Sequence, residues 1–293
     1  MEPEVDAPLV LASLIILGIL AGSVVAWIRH FRGSRNANLP EDSIPAWPIG
    51  WVNFGIFISV MVIAVFAIQN IAGLFVLPLI SEGEPEATLT PWLAVFAVVS
   101  LQLPMLAVFY GARRFYPRHF AGRLNYTKLP TGAAFLKTIP LFLMLLPVIW
   151  AASLIWTGIL SIFEAAGVID ELAPQQLITL FQGGGDPLAI ALLVICAVVM
   201  APIVEEVIFR GCIYRFLKSQ SSLLTAQIIS GCVFASMHAN LLSFVPLVVV
   251  GVVLARVYEK TGHLMVAIWF HAFFNAFSLL MLFLSIQSDA IPQ

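Results

Sequence analysis

The sequence predicts an all-α polytopic membrane bundle of about eight transmembrane helices, with both termini outside. Three observations predict it. Of the 293 residues, 61% are hydrophobic and only 10% are charged. Soluble domains run at about 45–50% and about 25%. The apolar residues also fall into runs of the ~20 residues that a helix needs to cross a bilayer. Finally, Lys and Arg alternate between successive loops as the positive-inside rule requires.

The predicted spans are 9–28, 52–80, 90–111, 133–162, 187–208, 221–240, 241–258 and 264–287. The second and fourth are long enough to tilt, kink or run on at the surface. The sixth and seventh nearly touch, and a tight outer turn is expected around 241–243. The chain opens with Glu2, Glu4 and Asp6, not with the basic segment of a cleavable signal peptide. Arg29, Arg32 and Arg35 follow the first span, which places the N-terminus outside. The inner pieces are then about 29–51, 112–132, 209–220 and 259–263, and the 14 Lys and Arg residues lie in or beside them. The outer loops carry Glu82, Glu84, Glu86, Glu164, Asp170, Glu171 and Asp186 instead. The stretch Arg113 to Arg123 mixes Arg and His with Phe and Tyr. It reads equally well as a plain inner loop or as a segment at the lipid headgroups.

A net charge of −2 and the lack of a basic arm exclude nucleic acid as a partner class. The expected partners are the lipid bilayer and a membrane-associated protein or peptide. Cys196, Cys212 and Cys232 are isolated, so they form neither a disulfide framework nor a C-x-x-C metal pair. They read as small packing residues. No internal repeat is visible, which argues against repeat-built transporters.

Three polar clusters interrupt the apolar runs: Glu205, Glu206 and Arg210; Phe234, His238 and Asn240; His271 and Asn275. Charge within hydrocarbon is costly and marks a partner or a function. Glu206 and Arg210 are four apart on one helical face and can pair. Glu205 is turned about 100° away from Glu206 on a helix of 3.6 residues per turn, and it stays free for proton transfer. His238 is expected within the sixth span, one turn after Phe234. His271 and Asn275 share a face of the eighth. Each cluster alone also fits a bland reading, a helix end or an interhelical polar clasp. Together they supply what amide hydrolysis needs: a Glu and a His to deprotonate water, a His and an Asn to hold the oxyanion. There is no H-E-x-x-H zinc motif. Gly183 to Asp186 matches the G-x-G-D of aspartyl intramembrane proteases, but no second spanning Asp completes a dyad. A Gly-rich turn with a helix-capping Asp186 is expected there.

The ordered motifs E-E-V-I-F-R (205–210), F-A-S-M-H (234–238) and H-A-F-F-N (271–275), with T-G-H-L at 261–264, resemble the CPBP family. These are the type II CAAX prenyl endopeptidases and their prokaryotic relatives, also called Abi. The resemblance covers roughly residues 190–280. It implies that Glu205 and His238 activate water, that His271 and Asn275 stabilise the oxyanion, and that Glu206, Arg210 and Phe234 are supporting. It divides the chain into N-terminal helices and loops (1–185) and a catalytic core (186–288). Members are described both as metalloproteases and as metal-free glutamate enzymes. Zinc would take Glu205, His238 and His271; otherwise no cofactor is needed. The implied activity is intramembrane endoproteolysis of a membrane-associated substrate, CAAX-like prenylated proteins among them, in a prokaryotic plasma membrane. Two other classes are a non-catalytic scaffold or bacteriocin self-immunity protein, and a proton-coupled transporter.

Overall fold

The computed structural model describes residues 6–33, 44–80, 90–120, 122–170 and 176–289. The predicted loop acids Glu82, Glu84, Glu86 and Glu171 lie outside the described residues, as do Glu2, Glu4 and Arg35.

The described residues are helical and connected by short loops. The helices are α1 (Ala7–Gly33), α2 (Trp51–Ile80), α3 (Pro91–Phe115), α4 (Pro117–Phe120), α5 (Thr131–Ala165) and α6 (Gln176–Gly183). A continuous span α7 (Pro187–Gln220) follows, then α8 (Leu223–Ser236), α9 (Leu241–Thr261) and α10 (Leu264–Asp289). Seven of these are long and apolar enough to cross a membrane; α8, with 14 residues, is shorter. Each of the eight predicted spans therefore has its helix, and the chain is an integral multi-pass membrane protein. Exposed Leu, Ile, Val and Phe cover α1 and α2, as a lipid-facing surface requires. Ser288 donates a hydrogen bond to Asp6, which brings the start of α1 and the end of α10 to one side of the bundle.

The packing wraps the C-terminal helices. α8 and α9 form an antiparallel hairpin, α5 lies against α9 and α10, α1 against α5 and α10, and α2 against α3. α8 and α9 cross at Gly231 and Gly251. A Cβ on Gly251 would lie 2.6 Å from the Gly231 Cα, so only glycine permits this approach.

Two boundaries differ from expectation. The tight turn comes at 237–240, not at 241–243. Asn240 caps α9 by accepting the Ser243 N–H at 2.9 Å, and Ala239 turns the chain with φ +47°. His238 consequently sits on the turn after α8 rather than inside a span. The Asp186 cap is present: its carboxylate accepts the Leu188 N–H and the Trp92 indole N–H, both at 2.8 Å. Together these bonds, the indole foremost, hold Asp186 below the usual carboxylate range. Cys196, Cys212 and Cys232 are free thiols.

The opposite end of the bundle is tied by buried polar groups. Glu259, fully buried, accepts from the Tyr214 hydroxyl (2.7 Å), Lys218 Nζ (2.8 Å) and the Ile44 N–H (3.1 Å). Tyr126 N–H donates to the Gly262 carbonyl at 2.8 Å, where Gly262 ends α9 in the left-handed conformation (φ +65°). These bonds tie the end of α7, the helix that carries Glu205, Glu206 and Arg210, to the end of α9.

Candidate active site

α7 is not a uniform helix. Cys196–Met200 and Glu206–Tyr214 are π-helical turns, a distortion common at functional sites. In the first, the Ala201 N–H donates to the Cys196 carbonyl, five residues back. The next donor in that register would be residue 202, and Pro202 has no N–H. The Ala197 carbonyl is thereby left over, and Asn275 Nδ2 donates to it at 2.7 Å. Asn275 thus supplies the donor that Pro202 lacks, and it also lines the central cavity.

Glu206 and Arg210 pair as their spacing predicts, Oε1 to Nη1 at 2.8 Å, with both side chains fully buried. Arg210 Nη2 donates to the Gly251 carbonyl at 3.2 Å, and its Cζ stands 4.7 Å over the Phe234 ring. Phe234 also meets Phe209 edge to face and flanks both His238 and His271. It is the apolar partition that holds the guanidinium against Glu206.

The expectation that Glu205 and Glu206 have separate surroundings is met only in part, because both address His271. His271 Nδ1 lies 2.9 Å from Glu206 Oε1, and its Nε2 lies 3.8 Å from Glu205 Oε2. A carboxylate paired with arginine is an acceptor only, so Nδ1 is the donor. Nε2 therefore bears the lone pair in the neutral ring. Glu205 Oε2 is buried without a hydrogen-bond partner, while Oε1 receives Gln102 Nε2 at 3.4 Å. His238 Nδ1 donates to the Phe234 carbonyl at 2.9 Å, which again leaves the lone pair on Nε2 in the neutral ring.

Glu205, His238, His271 and Asn275 all line one cavity of about 600 Å³, whose other walls are mostly apolar and come from α3 and from α5 to α10. The sequence reading missed Gln102. Its signal was a single amide in the apolar run of α3, weak by itself. It also missed the Gly231–Gly251 contact, which no local pattern announces.

Among the described residues, no group of three His, Cys, Asp or Glu side chains is placed to hold a metal ion. The set Glu205, His238 and His271 does not fit zinc in this arrangement.

A family model described as Rce1-like, type II CAAX prenyl endopeptidase Rce1-like, matches residues 187–277. The Bacillus subtilis (strain 168) protein named "Putative membrane peptidase YdiL" is 31% identical over 93 residues. That match covers 32% of this chain and 38% of the relative, so the chain spans well under two thirds of it. No solved structure matches. The bacterial relative fits residence in a prokaryotic plasma membrane. Across 187–277, the segment that holds every site residue from Glu205 to Asn275, the chain is similar to the type II CAAX prenyl endopeptidase Rce1-like family and to a bacterial protein named as a membrane peptidase.

Proposed function

We propose that this protein is an intramembrane endopeptidase that hydrolyses a peptide bond of a membrane-associated protein with water activated at Glu205. One observation carries the reading. Glu205 Oε2, buried and without a hydrogen-bond partner, faces the Nε2 of His271 at 3.8 Å on the wall of a cavity within the spans. Buried polar groups are normally satisfied, and an unsatisfied carboxylate oxygen beside an imidazole is suited to take a proton.

In this mechanism Glu205 removes a proton from water, with His238 Nε2 as the second acceptor, and the hydroxide adds to the carbonyl carbon. Nε2 of His271 receives the proton from Glu205. Because Nδ1 already donates to Glu206, only this second proton makes His271 an oxyanion donor. Asn275 has one amide hydrogen engaged by Ala197 and the other available to the oxyanion. Collapse expels the amine, which takes the proton back. Glu206 and Arg210 orient His271, and Phe234 separates the charges. The catalytic core is proposed to be 186–288, with residues 1–185 supplying helices that close the cavity wall. A CAAX-like prenylated protein is one substrate class that the family suggests.

The scaffold or self-immunity reading has its own support: Asn275 and Glu206 are spent on internal bonds that would serve a purely structural role. Membranes carrying wild type and Glu205→Gln at matched expression separate the two. New peptide termini, mapped by mass spectrometry, are expected only with wild type, and His238→Ala and His271→Ala are expected to be equally silent. If deletion phenotypes are rescued equally by Glu205→Gln and no termini differ, the scaffold reading replaces this one.

A further inference from the structure

The cavity wall from α3 carries one polar side chain. Val98, Leu101, Gln102 and Met105 line it, spaced as one face of a helix. Three of the four are apolar, as a lipid-embedded wall demands. Gln102 is 5% exposed. Its Nε2 donates to Glu205 Oε1 at 3.4 Å, and its Oε1 is buried with no hydrogen-bond partner. Burying a carboxamide is costly unless its groups are hydrogen-bonded. Half of this one is spent on the proposed base. The other half is a buried acceptor without a partner, on a residue that lines the cavity. The orientation follows from the chemistry: an ionised carboxylate can only accept, so the amide nitrogen must be the end that meets Glu205.

An extended peptide brings backbone N–H groups that have lost water on entering an apolar cavity. We propose that Gln102 bridges the base and the substrate. Its Nε2 holds Glu205 with Oε2 turned toward His271, and its Oε1 accepts a backbone N–H of the peptide being cut. Gln102 lies outside residues 187–277, so this assigns part of the site to the N-terminal helices. It is a positioning residue for Glu205 and a contact for the substrate backbone. The 3.4 Å bond is long, as catalytic hydrogen bonds are before substrate tightens them.

The inference rests on the endopeptidase reading, and its test is built to fail separately. Gln102→Met keeps length and removes both polar ends. If it fails to accumulate, Gln102→Asn, one methylene shorter, gives the same two readouts. The first readout is the infrared carboxylate stretch of Glu205 in purified protein, isolated by subtraction of Glu205→Gln. It needs no substrate, and the band is expected to move in Gln102→Met. The second uses a peptide spanning a Glu205-dependent cleavage site. Its KM is expected to rise and its kcat/KM to fall about 10–100-fold, the loss of one or two buried hydrogen bonds. An unmoved Glu205 band overturns the inference, and so does an unchanged KM. If no Glu205-dependent cleavage exists, the endopeptidase reading falls, while the infrared band still decides whether Gln102 holds Glu205.

Discussion

Replacing Gly251 by alanine probes the contact on which the site geometry depends. The added Cβ would stand 2.6 Å from Gly231 Cα and 3.3 Å from its carbonyl oxygen. Carbon atoms in ordinary contact lie about 3.5–4.0 Å apart. The obstacle is backbone, so no side chain can swing aside, and α8 and α9 must separate by roughly 1 Å. Overpacking of this kind costs about 1–3 kcal/mol. The separation also stretches the 3.2 Å bond from Arg210 Nη2 to the Gly251 carbonyl, a bond to a charged group worth about 1.5–3 kcal/mol. The gain in helix propensity from glycine to alanine returns about 1 kcal/mol. The net is a destabilisation of about 2–5 kcal/mol and a fall in Tm of roughly 5–15 °C. A thiol-reactive fluorophore on the buried Cys196 and Cys212 reports unfolding of the detergent-purified protein. Gly158→Ala is the control, since nothing lies within 4 Å of its added Cβ; it is expected to match or exceed wild type. A Gly251→Ala protein as stable as Gly158→Ala would refute the reasoning, because the two changes differ only in what the methyl group meets.

Three further outcomes are expected. Arg210→Ala leaves Glu206 charged and uncompensated in a fully buried position, a loss of about 3–5 kcal/mol, and membrane yield is expected to collapse where Glu205→Gln expresses normally. Asn275→Ala strips the donor from the Ala197 carbonyl and is expected to cost about 1–3 kcal/mol; in a Pro202→Ala background, which restores a backbone N–H, the same change should cost clearly less in the same Tm assay. Burial pushes the His263 imidazole below its ordinary value, and its Nδ1 lacks a hydrogen-bond partner. The unfolded chain then binds the proton first, so this contribution is complete above about pH 6.5 and is lost as pH falls; His263→Gln is expected to flatten the acid side of a Tm–pH profile.

The Glu206–Arg210 bond was legible because four residues make one helical turn whatever else surrounds it. The two-sided grip on His271 was not legible, since it depends on how α10 is placed against α7. The end of α8 was misplaced for a local reason. No glycine or proline marks it, and the apolar pattern continues through Met237. Asn240, reaching forward to cap α9, is what breaks the helix. Gln102 went unread because a single amide in an apolar run has many uses. Only its meeting with Glu205, 103 positions away in sequence, distinguishes one of them. The π-turn at Cys196–Met200 left a trace in Pro202, but the trace needed Asn275 beside it to be interpretable.

α8 has 14 residues, a length of about 21 Å, beside a hydrocarbon layer of about 30 Å. By contrast α5, with 35 residues, exceeds that layer by a wide margin. Lipids next to α8 must therefore shorten, while those next to α5 stretch or tilt, so the protein sits in a bilayer of graded depth. The shallow side is the one that carries the His238 turn. On the proposed endopeptidase reading, water and a peptide segment would descend less far there, and the thickness of the host membrane would bear on which proteins the cavity can reach.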